Sequence, residues 1–204
     1  MNKPRTSNKG ILFVVSAPSG AGKTTVVTDY LKSARGISKT ISHTTRLPRR
    51  GEKNGRDYHF VSGRTFRSMI RRSAFLEWTT VYGHYYGTSV ATVRQRTRKG
   101  DVVLVIEGRG GRAIRKKFVN AVFILILPPS LADLKKRIFG RSGKVTQEGI
   151  RRLGVAKKEV RAVTWYDYVI VNDRLSRAVR DLSAIIEAER HKLSRHANLL
   201  KPFV

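Results

Sequence analysis

The sequence predicts an α/β protein with a parallel sheet covered by helices on both faces. Two observations lead to this fold class. Short apolar runs typical of buried strands alternate with helix-compatible stretches along most of the 204 residues. The first apolar run, 11–16, leads directly into a glycine-rich turn, 17–25, and then into a helix. Because folds of this kind bind ligands at the carboxyl ends of their strands, we expect a functional site at that turn.

The glycine-rich turn has the composition of a phosphate-binding P-loop. Its sequence is Ala17-Pro18-Ser19-Gly20-Ala21-Gly22-Lys23-Thr24-Thr25, in which Ala17 replaces the usual first glycine. Glycines let backbone N–H groups converge on phosphate oxygens, and the following helix points its positive end at them. In this motif the lysine binds the terminal phosphates and the next hydroxyl binds Mg²⁺. We therefore predict nucleotide binding, with Lys23 and Thr24 in these roles and a helix to about Ala34.

The middle of the chain differs in composition from its flanks. Region 42–93 has few long aliphatic residues and many aromatic ones, which predicts a mixed α+β insertion. The elements expected are a strand near 40–42, a polar segment over 44–57, strands at 58–61 and 81–86, and a basic helix at 64–72.

After Gly100 the α/β alternation returns, so the core is expected to comprise 11–41 and 94–194. The predicted strands are 101–106, 121–127 and 168–171, and the predicted helices are 109–117, 130–139, 147–163 and 174–194. An apolar stripe of Leu175, Val179, Leu182 and Ile186 marks the core-facing side of the last helix. Residues 1–10 and 195–204 are expected to be tails, the first of them basic and flexible.

Composition excludes several classes of site. The chain has no cysteine, so it has neither disulfides nor thiolate chemistry, and this fits a reducing cytoplasm. Its longest apolar run, 121–127, is far too short to cross a membrane. No apolar segment follows the basic N-terminus, so we expect no secretory signal.

The charge is strongly positive, with 42 Lys and Arg against 14 Asp and Glu and a net charge of +28. A nucleotide-binding protein and a nucleic-acid-binding protein both need positive surfaces. The basic residues are scattered through nearly every segment, which favours a compositional bias on solvated helix faces over a dedicated nucleic-acid surface. We expect weak, non-specific nucleic-acid binding at low salt in either case.

The polar segment contains a candidate site for a second phosphate. Arg46 and Arg49 are three residues apart, and Tyr58 follows nine residues later. The planar guanidinium group binds phosphate in a bidentate manner, and a tyrosine hydroxyl adds a neutral donor. A basic surface loop with an aromatic anchor explains the same spacing equally well, so the spacing alone does not decide.

The complete segment 44–61 closely resembles the signature of guanylate kinases. Further matches follow in the expected order, and together they extend from about residue 10 to 190: Ala74-Phe75-Leu76-Glu77, Tyr85-Tyr86-Gly87-Thr88-Ser89, Pro128-Pro129-Ser130 and Tyr166-Asp167-Tyr168-Val169-Ile170-Val171-Asn172-Asp173. The resemblance implies a P-loop core, a GMP-binding insertion and a mobile lid at 140–148. It implies phosphoryl transfer from Mg-ATP to GMP or dGMP.

The resemblance also assigns residue roles. It implies that the GMP phosphate is held by Arg46, Arg49, Tyr58 and Tyr86, and that the guanine site is formed by Ser42, Glu77 and Thr88 with Gly87. It implies that the transferring phosphoryl group is surrounded by Lys23, Arg137, Arg141 and Arg152. It also implies that Asn172 lies near adenine. Chemistry supports the role of Glu77, because a carboxylate accepts hydrogen bonds from guanine N1–H and the exocyclic amine, whereas adenine lacks the N1–H. Because the chain is basic and has few acidic residues, a glutamate at this position is stronger evidence for a functional role.

One stretch departs from the family pattern. Where guanylate kinases typically have Asp-Ile-Asp-x-Gln-Gly, this chain has Val105-Ile106-Glu107-Gly108-Arg109-Gly110. The aspartate expected near the metal and phosphates is valine, and the one expected near guanine is the longer Glu107. We therefore expect intact phosphate binding but slower turnover and weaker ordering of Mg²⁺.

Three alternatives remain at this point. A guanylate-kinase-like module could bind an acidic or phosphorylated protein, although such a module has no need of Lys23. A nucleic-acid-binding protein on this fold would have its basic residues clustered outside the nucleotide cleft. A P-loop kinase for another acceptor is disfavoured by Glu77 and by segment 44–61.

Overall fold

Nine strands form two sheets in the computed structural model, which describes residues 10–81, 83–106, 111–140, 145–147, 149–151, 153–154, 156 and 165–196. The strands are β1 (Leu12–Ser16), β2 (Ile37–Lys39), β3 (His43–Thr44), β4 (His59–Phe60), β5 (Phe75–Val81), β6 (His84–Ser89), β7 (Asp101–Ile106), β8 (Val122–Leu127) and β9 (Tyr168–Val171). The helices are α1 (Lys23–Ser33), α2 (Gly63–Arg71), α3 (Val90–Lys99), α4 (Gly111–Lys117), α5 (Leu131–Phe139) and α6 (Leu175–Arg190), followed by a 3-10 turn, Leu193–Arg195.

The larger sheet has the order β2-β7-β1-β8-β9, and all its strand pairs are parallel. Alternate residues of the central strand enter two different clusters. Phe13 and Val15 pack with residues of α1 and α6, whereas Leu12 and Val14 pack with residues of α3 and α4. Both faces of the sheet are therefore covered by helices, as predicted, which explains why its strands are continuous apolar runs.

The smaller sheet has the order β4-β3-β6-β5 and is formed entirely within the predicted insertion. Strands β5 and β6 are an antiparallel hairpin, while β3 pairs antiparallel with β6 and parallel with β4. Helix α2 covers this sheet through Phe66, whose ring stacks on Phe75 at 4.3 Å and on Tyr85 at 5.2 Å between centroids. The insertion is thus of mixed α+β character.

Two strand predictions in the insertion were wrong in detail. The strand expected near 40–42 is instead β2 followed by a link to β3, because the backbone leaves the parallel sheet after Thr40, whose N–H still bonds to Val103. The stretch 81–86 is not one strand: Val81 ends β5, Gly83 turns the chain with φ 80°, and His84 begins β6. The aromatic-rich stretch 81–86 therefore contains the turn of a β-hairpin and is not a single strand.

The last helix also differs from its prediction. Leu182 and Ile186 are fully buried as expected, but Leu175 is 39% exposed, and Ala178 takes the first core position. The helix ends at Arg190 rather than at 194. Glu189 is buried and accepts hydrogen bonds from Tyr168, Lys192 and Arg195, so the chain turns back toward that carboxylate. This network holds the pKa of Glu189 near 2 and raises the pKa of Tyr168 to about 12.

The predicted helix 147–163 is helical at the described residues 147, 149–151, 153–154 and 156, and its remainder lies outside them. None of the helices in the described ranges is long and apolar enough to cross a membrane.

Candidate active site

The P-loop connects the carboxyl end of β1 to the first turn of α1. Gly20 and Gly22 have φ angles of 91° and 89°, a left-handed conformation that glycine adopts without steric cost. The turn is closed by a hydrogen bond of 3.0 Å from Ala21 N to Pro18 O. Gly22 is the N-cap residue and makes no side-chain cap, so the N-terminus of α1 is suited to an anion.

Apart from Ala21, the nine predicted phosphate-binding residues become more exposed from the end of β1 toward the first turn of α1. Ala17, Pro18 and Ala21 are buried, Ser19, Gly20, Gly22 and Lys23 are half-buried, and Thr24 and Thr25 are exposed. The alanine that replaces the first glycine therefore fits into the core. Thr24 is exposed in the first turn of α1, which is compatible with a metal that also binds nucleotide phosphates.

Lys23 extends across the gap between β1 and β7. Its ammonium donates a hydrogen bond of 2.7 Å to the main-chain oxygen of Ile106, the last residue of β7. An ammonium has three N–H donors, and this bond uses one of them to orient the group. The bond places the charge of Lys23 at the carboxyl ends of the two central strands.

Two side chains from segments distant in sequence form hydrogen bonds with the main chain of the P-loop. The amide of Asn172, which follows β9, donates to Ala21 O at 2.8 Å, and Arg137 from α5 donates to the same oxygen at 3.3 Å. Arg137 also donates to the main-chain oxygen of Asn172 at 2.8 Å. The sequence predicted contacts with the phosphoryl group for Arg137 and with adenine for Asn172. Their bonds to the backbone of the loop were not foreseen.

Arg46 is held in place by Glu52. Its terminal nitrogen donates to both carboxylate oxygens at 2.9 Å, and the Arg49 main-chain N–H donates to the same carboxylate at 2.7 Å. The pKa of Glu52 is lowered by these hydrogen bonds, and the pKa of Arg46 is raised by the same carboxylate. Both groups are therefore charged at neutral pH. Sequence analysis identified the arginines but did not assign Glu52 this positioning role.

Two tyrosines complete the phosphate cluster, which we define as Arg46, Glu52, Tyr58 and Tyr86. The guanidinium of Arg46 lies 5.6 Å from the ring centre of Tyr58, and the two tyrosine rings meet edge to face at 6.0 Å. Tyr86 also hydrogen-bonds to Arg46. The structure thus brings Arg46, Tyr58 and Tyr86 together, while the side chain of Arg49 lies on the exposed rim.

Glu77, Thr88 and Ser42 form a hydrogen-bonded chain, which we name the base pocket. The Thr88 hydroxyl donates to Glu77 Oε1 at 2.8 Å, and the Ser42 and Thr88 hydroxyl oxygens are 3.0 Å apart. Glu77 is only 8% exposed. Glu77 is therefore not an ordinary, solvent-exposed surface glutamate.

A β-bulge explains the burial of Glu77. The register of β5 against β6 shifts between Phe75 and Glu77, and the three consecutive residues from Phe75 to Glu77 are all buried there. Glu77 pairs with Thr88 as a result. A Cβ at Gly87 would lie 3.0 Å from atoms of Phe66, Phe75 and Trp78, so a glycine fits best among these rings.

Strand β6 links the base pocket to the phosphate cluster. Tyr86 and Thr88 are two residues apart on this strand, so their side chains lie on one face about 7 Å apart. A nucleoside monophosphate lying along β6 can place its base at Glu77 and its phosphate at Arg46.

Several predicted residues lie outside the described part of the chain: Glu107, Arg141, Arg152 and most of the lid, 140–148. Val105 is described. It pairs with Val15 in the sheet, is half-buried, and packs against the cluster beneath α1 and α6, as expected for an apolar strand residue.

Comparisons with known proteins agree with this geometry. A family model described as Guanylate kinase matches residues 9–189. The guanylate kinase of Geobacter metallireducens is 42% identical over 188 residues, covering 92% of this chain and 93% of the relative. That of Dechloromonas aromatica is 44% identical over 200 residues, covering 96% and 99%.

A solved structure extends the similarity to three dimensions. The crystal structure of guanylate kinase from Anaplasma phagocytophilum matches with a TM-score of 0.78 at 29% identity, and the match covers 96% of each chain. The residues matched by the family model include the P-loop, the phosphate cluster and the base pocket.

Proposed function

The chain belongs to the guanylate kinase family, and we propose that it transfers a phosphoryl group from Mg-ATP to GMP or dGMP through the residues described above. The product pair is ADP and GDP or dGDP. The observation that carries the assignment is the base pocket, where buried Glu77 meets Thr88 on the strand that also bears Tyr86. A P-loop alone binds many nucleotides, whereas this pocket selects the acceptor.

On the donor side, the P-loop binds the ATP phosphates through main-chain N–H groups at the start of α1. Lys23 places its ammonium against the β- and γ-phosphate oxygens, and Arg137, Arg141 and Arg152 add positive charge around the transferring group. Phosphoryl transfer requires alignment and charge neutralisation rather than covalent chemistry by the protein. We therefore assign no general base and no covalent intermediate.

Mg²⁺ fits this donor set through Thr24. This ion keeps several waters and binds chiefly through substrate phosphates, so one hydroxyl from the protein is sufficient. The described residues contain no cluster of three or more acidic or histidine ligands that would hold a metal independently of the nucleotide. When bound, the ion neutralises developing charge on the phosphates.

On the acceptor side, Arg46 and Arg49 bind the GMP phosphate, assisted by the hydroxyls of Tyr58 and Tyr86. Glu52 orients the guanidinium of Arg46 before the nucleotide arrives, which reduces the entropic cost of binding. Glu77 accepts from N1–H and the exocyclic amine of guanine, and Ser42 and Thr88 complete the contacts. AMP presents no N1–H and would leave the carboxylate unsatisfied.

Val105 distinguishes this chain from the family pattern. A valine at the carboxyl end of β7 cannot order water or cations near Lys23, so we propose that turnover is slower than in relatives with an aspartate there. Glu107 would retain an acidic contact to guanine. The absence of cysteines fits the cytoplasm as the place of action.

A coupled ADP-release assay with Mg-ATP and separate GMP, dGMP, AMP, CMP and UMP acceptors tests the proposal. We expect ADP release with GMP and dGMP, little with the other acceptors, and none when EDTA removes Mg²⁺. Binding of GMP without ADP release would instead identify a binding module. Equal rates with AMP would contradict the role of the base pocket.

A further inference from the structure

Helix α3 and the adjacent ends of α2 and α4 carry an unbalanced positive charge. Residues 58–132 contain 13 Lys and Arg but only three acids, Glu77, Asp101 and Glu107. Glu77 is directed to Thr88 in the base pocket, and Asp101, 1% exposed, accepts from Ile11 N and Arg190 Nε. These two carboxylates are buried, and Arg115 among the surface cations pairs with Asp167. The positive charge of this region is nevertheless in large excess over its acids.

Three of these cations line one cleft. A cleft of about 830 Å³ is lined by Arg94 and Arg98 from α3, by Lys117 from the end of α4 and by Phe118. The two arginines are one turn apart on the same helix face, about 6 Å along the axis. All three cations are exposed, and within the described ranges none of them has an ion-pair partner. We name this cleft, with Arg94, Arg98 and Lys117, the α3 surface.

The α3 surface lies at the opposite end of the parallel sheet from the active site. Helix α3 ends where β7 begins, and Lys117 precedes the start of β8. The P-loop and Ile106 instead lie at the carboxyl ends of β1 and β7. The six residues of β7 separate the two regions by about 17 Å, so a ligand of the α3 surface does not need the nucleotide cleft.

We propose that the α3 surface binds the phosphate backbone of double-stranded nucleic acid without reading its sequence. Duplex nucleic acid carries about one negative charge per 1.7 Å of axis, which complements a row of unneutralised arginines. Phe118 is packed against the core and offers no stacking platform, so the recognised group is phosphate rather than an unstacked base.

An anionic membrane is the less suitable partner for this surface. Among large hydrophobic residues in the described part of 90–119, Val119 is the exposed one, at 80% exposure. Interfacial binding relies on bulky apolar or aromatic side chains that enter the acyl boundary, and one valine provides little.

Fluorescence anisotropy with a labelled 20-base-pair duplex tests the proposal over a salt titration. The test variant is Arg94→Gln/Arg98→Gln/Lys117→Gln. The matched control is Lys32→Gln/Arg35→Gln/Arg180→Gln, which removes the same charge from exposed positions on the other face of the sheet. Kinase turnover with GMP, expected to be unchanged in both variants, shows that each is folded.

We expect the test variant to bind at least about tenfold more weakly at low salt, with a salt slope smaller by about 2.7, and the control to retain wild-type values. Binding by wild type should persist with saturating GMP and ADP. Equal losses in both variants, displacement by the nucleotides, tighter binding of a single strand, or binding to phosphatidylserine vesicles without duplex binding would each overturn the proposal.

Discussion

The side-chain amide of Asn172 donates a 2.8 Å hydrogen bond to the carbonyl of Ala21, although the two residues are 151 positions apart in sequence. The same amide nitrogen lies 2.4 Å from the position that a Cβ on Gly22 would occupy. The conformation of the phosphate-binding loop thus depends on Asn172 as well as on the glycines of the loop itself. Because the amide occupies this space, Gly22 is required for two independent reasons, its φ of 89° and its contact with Asn172.

Replacement of Gly22 by alanine should therefore destabilise the protein and weaken ATP binding. A left-handed alanine costs about 1–2 kcal/mol, and displacement of the Asn172 amide adds to this. We expect a lower free energy of unfolding in urea and a KM for ATP raised more than the KM for GMP.

The double variant Gly22→Ala/Asn172→Ala separates the two causes. If the contact matters, the destabilisation of the double variant will be smaller than the sum of the single effects, since Asn172→Ala removes the obstacle. Strict additivity would show that Asn172 does not restrict residue 22.

Lys23→Ala should abolish most phosphoryl transfer. The ammonium is a preorganised donor at the strand ends, and loss of such a donor lowers kcat by about 10²–10³-fold. Rates come from the coupled ADP assay and stability from thermal unfolding. Lys32→Ala, on the same helix but exposed beside Asp29, is the matched control and should retain activity. Near-normal kcat in folded Lys23→Ala would contradict the mechanism.

Glu77→Gln should reduce the preference for GMP over AMP by at least about tenfold. The amide keeps the size of the carboxylate but replaces one acceptor with a donor, which opposes guanine N1–H. The ratio of kcat/KM for the two acceptors measures the effect. Unchanged base selectivity in a protein with normal KM for ATP would show that Glu77 does not read guanine.

Glu52→Gln tests the positioning of Arg46. The variant loses the bidentate ion pair that orients the guanidinium, so we expect KM for GMP to rise by about threefold to tenfold while KM for ATP stays constant. Arg46→Ala and Arg49→Ala should raise KM for GMP further. The exposed pair Arg56–Asp57 in the same segment provides a control in Asp57→Asn, which should leave both KM values unchanged. A larger effect of Glu52→Gln on ATP would exclude this role.

The P-loop and the parallel sheet could be predicted because local signals specify them. Glycines, a following lysine and apolar strand runs act within a few residues of one another. The burial of Glu77 depends on a bulge against β6, and the role of Asn172 depends on a loop far away in sequence. Leu175 fits the helical period yet is 39% exposed, whereas Ala178 is fully buried in the cluster that contains residues of α1. Contacts of this kind join residues that are far apart in sequence, so no local sequence pattern predicts them.

Val105→Asp should increase kcat or sharpen its dependence on Mg²⁺. Val105 is half-buried one residue before Ile106, whose carbonyl binds Lys23, so a carboxylate there lies near the charged end of the site. It can organise cations and water that a valine cannot. The same change should lower the free energy of unfolding by about 1–3 kcal/mol, because a carboxylate replaces an apolar group packed against the core.

Val105→Asn separates charge from polarity at this position. It has nearly the size of aspartate and should show a comparable loss of stability without the gain in kcat, as measured by urea unfolding and Mg²⁺ titrations of the ADP assay. Glu107→Ala, two residues further along the sequence, should mainly raise KM for GMP. If Val105→Asp leaves kcat and Mg²⁺ dependence unchanged, and Glu107→Ala has no effect, the carboxyl end of β7 takes no part in catalysis. The proposal that Val105 slows turnover would then be wrong.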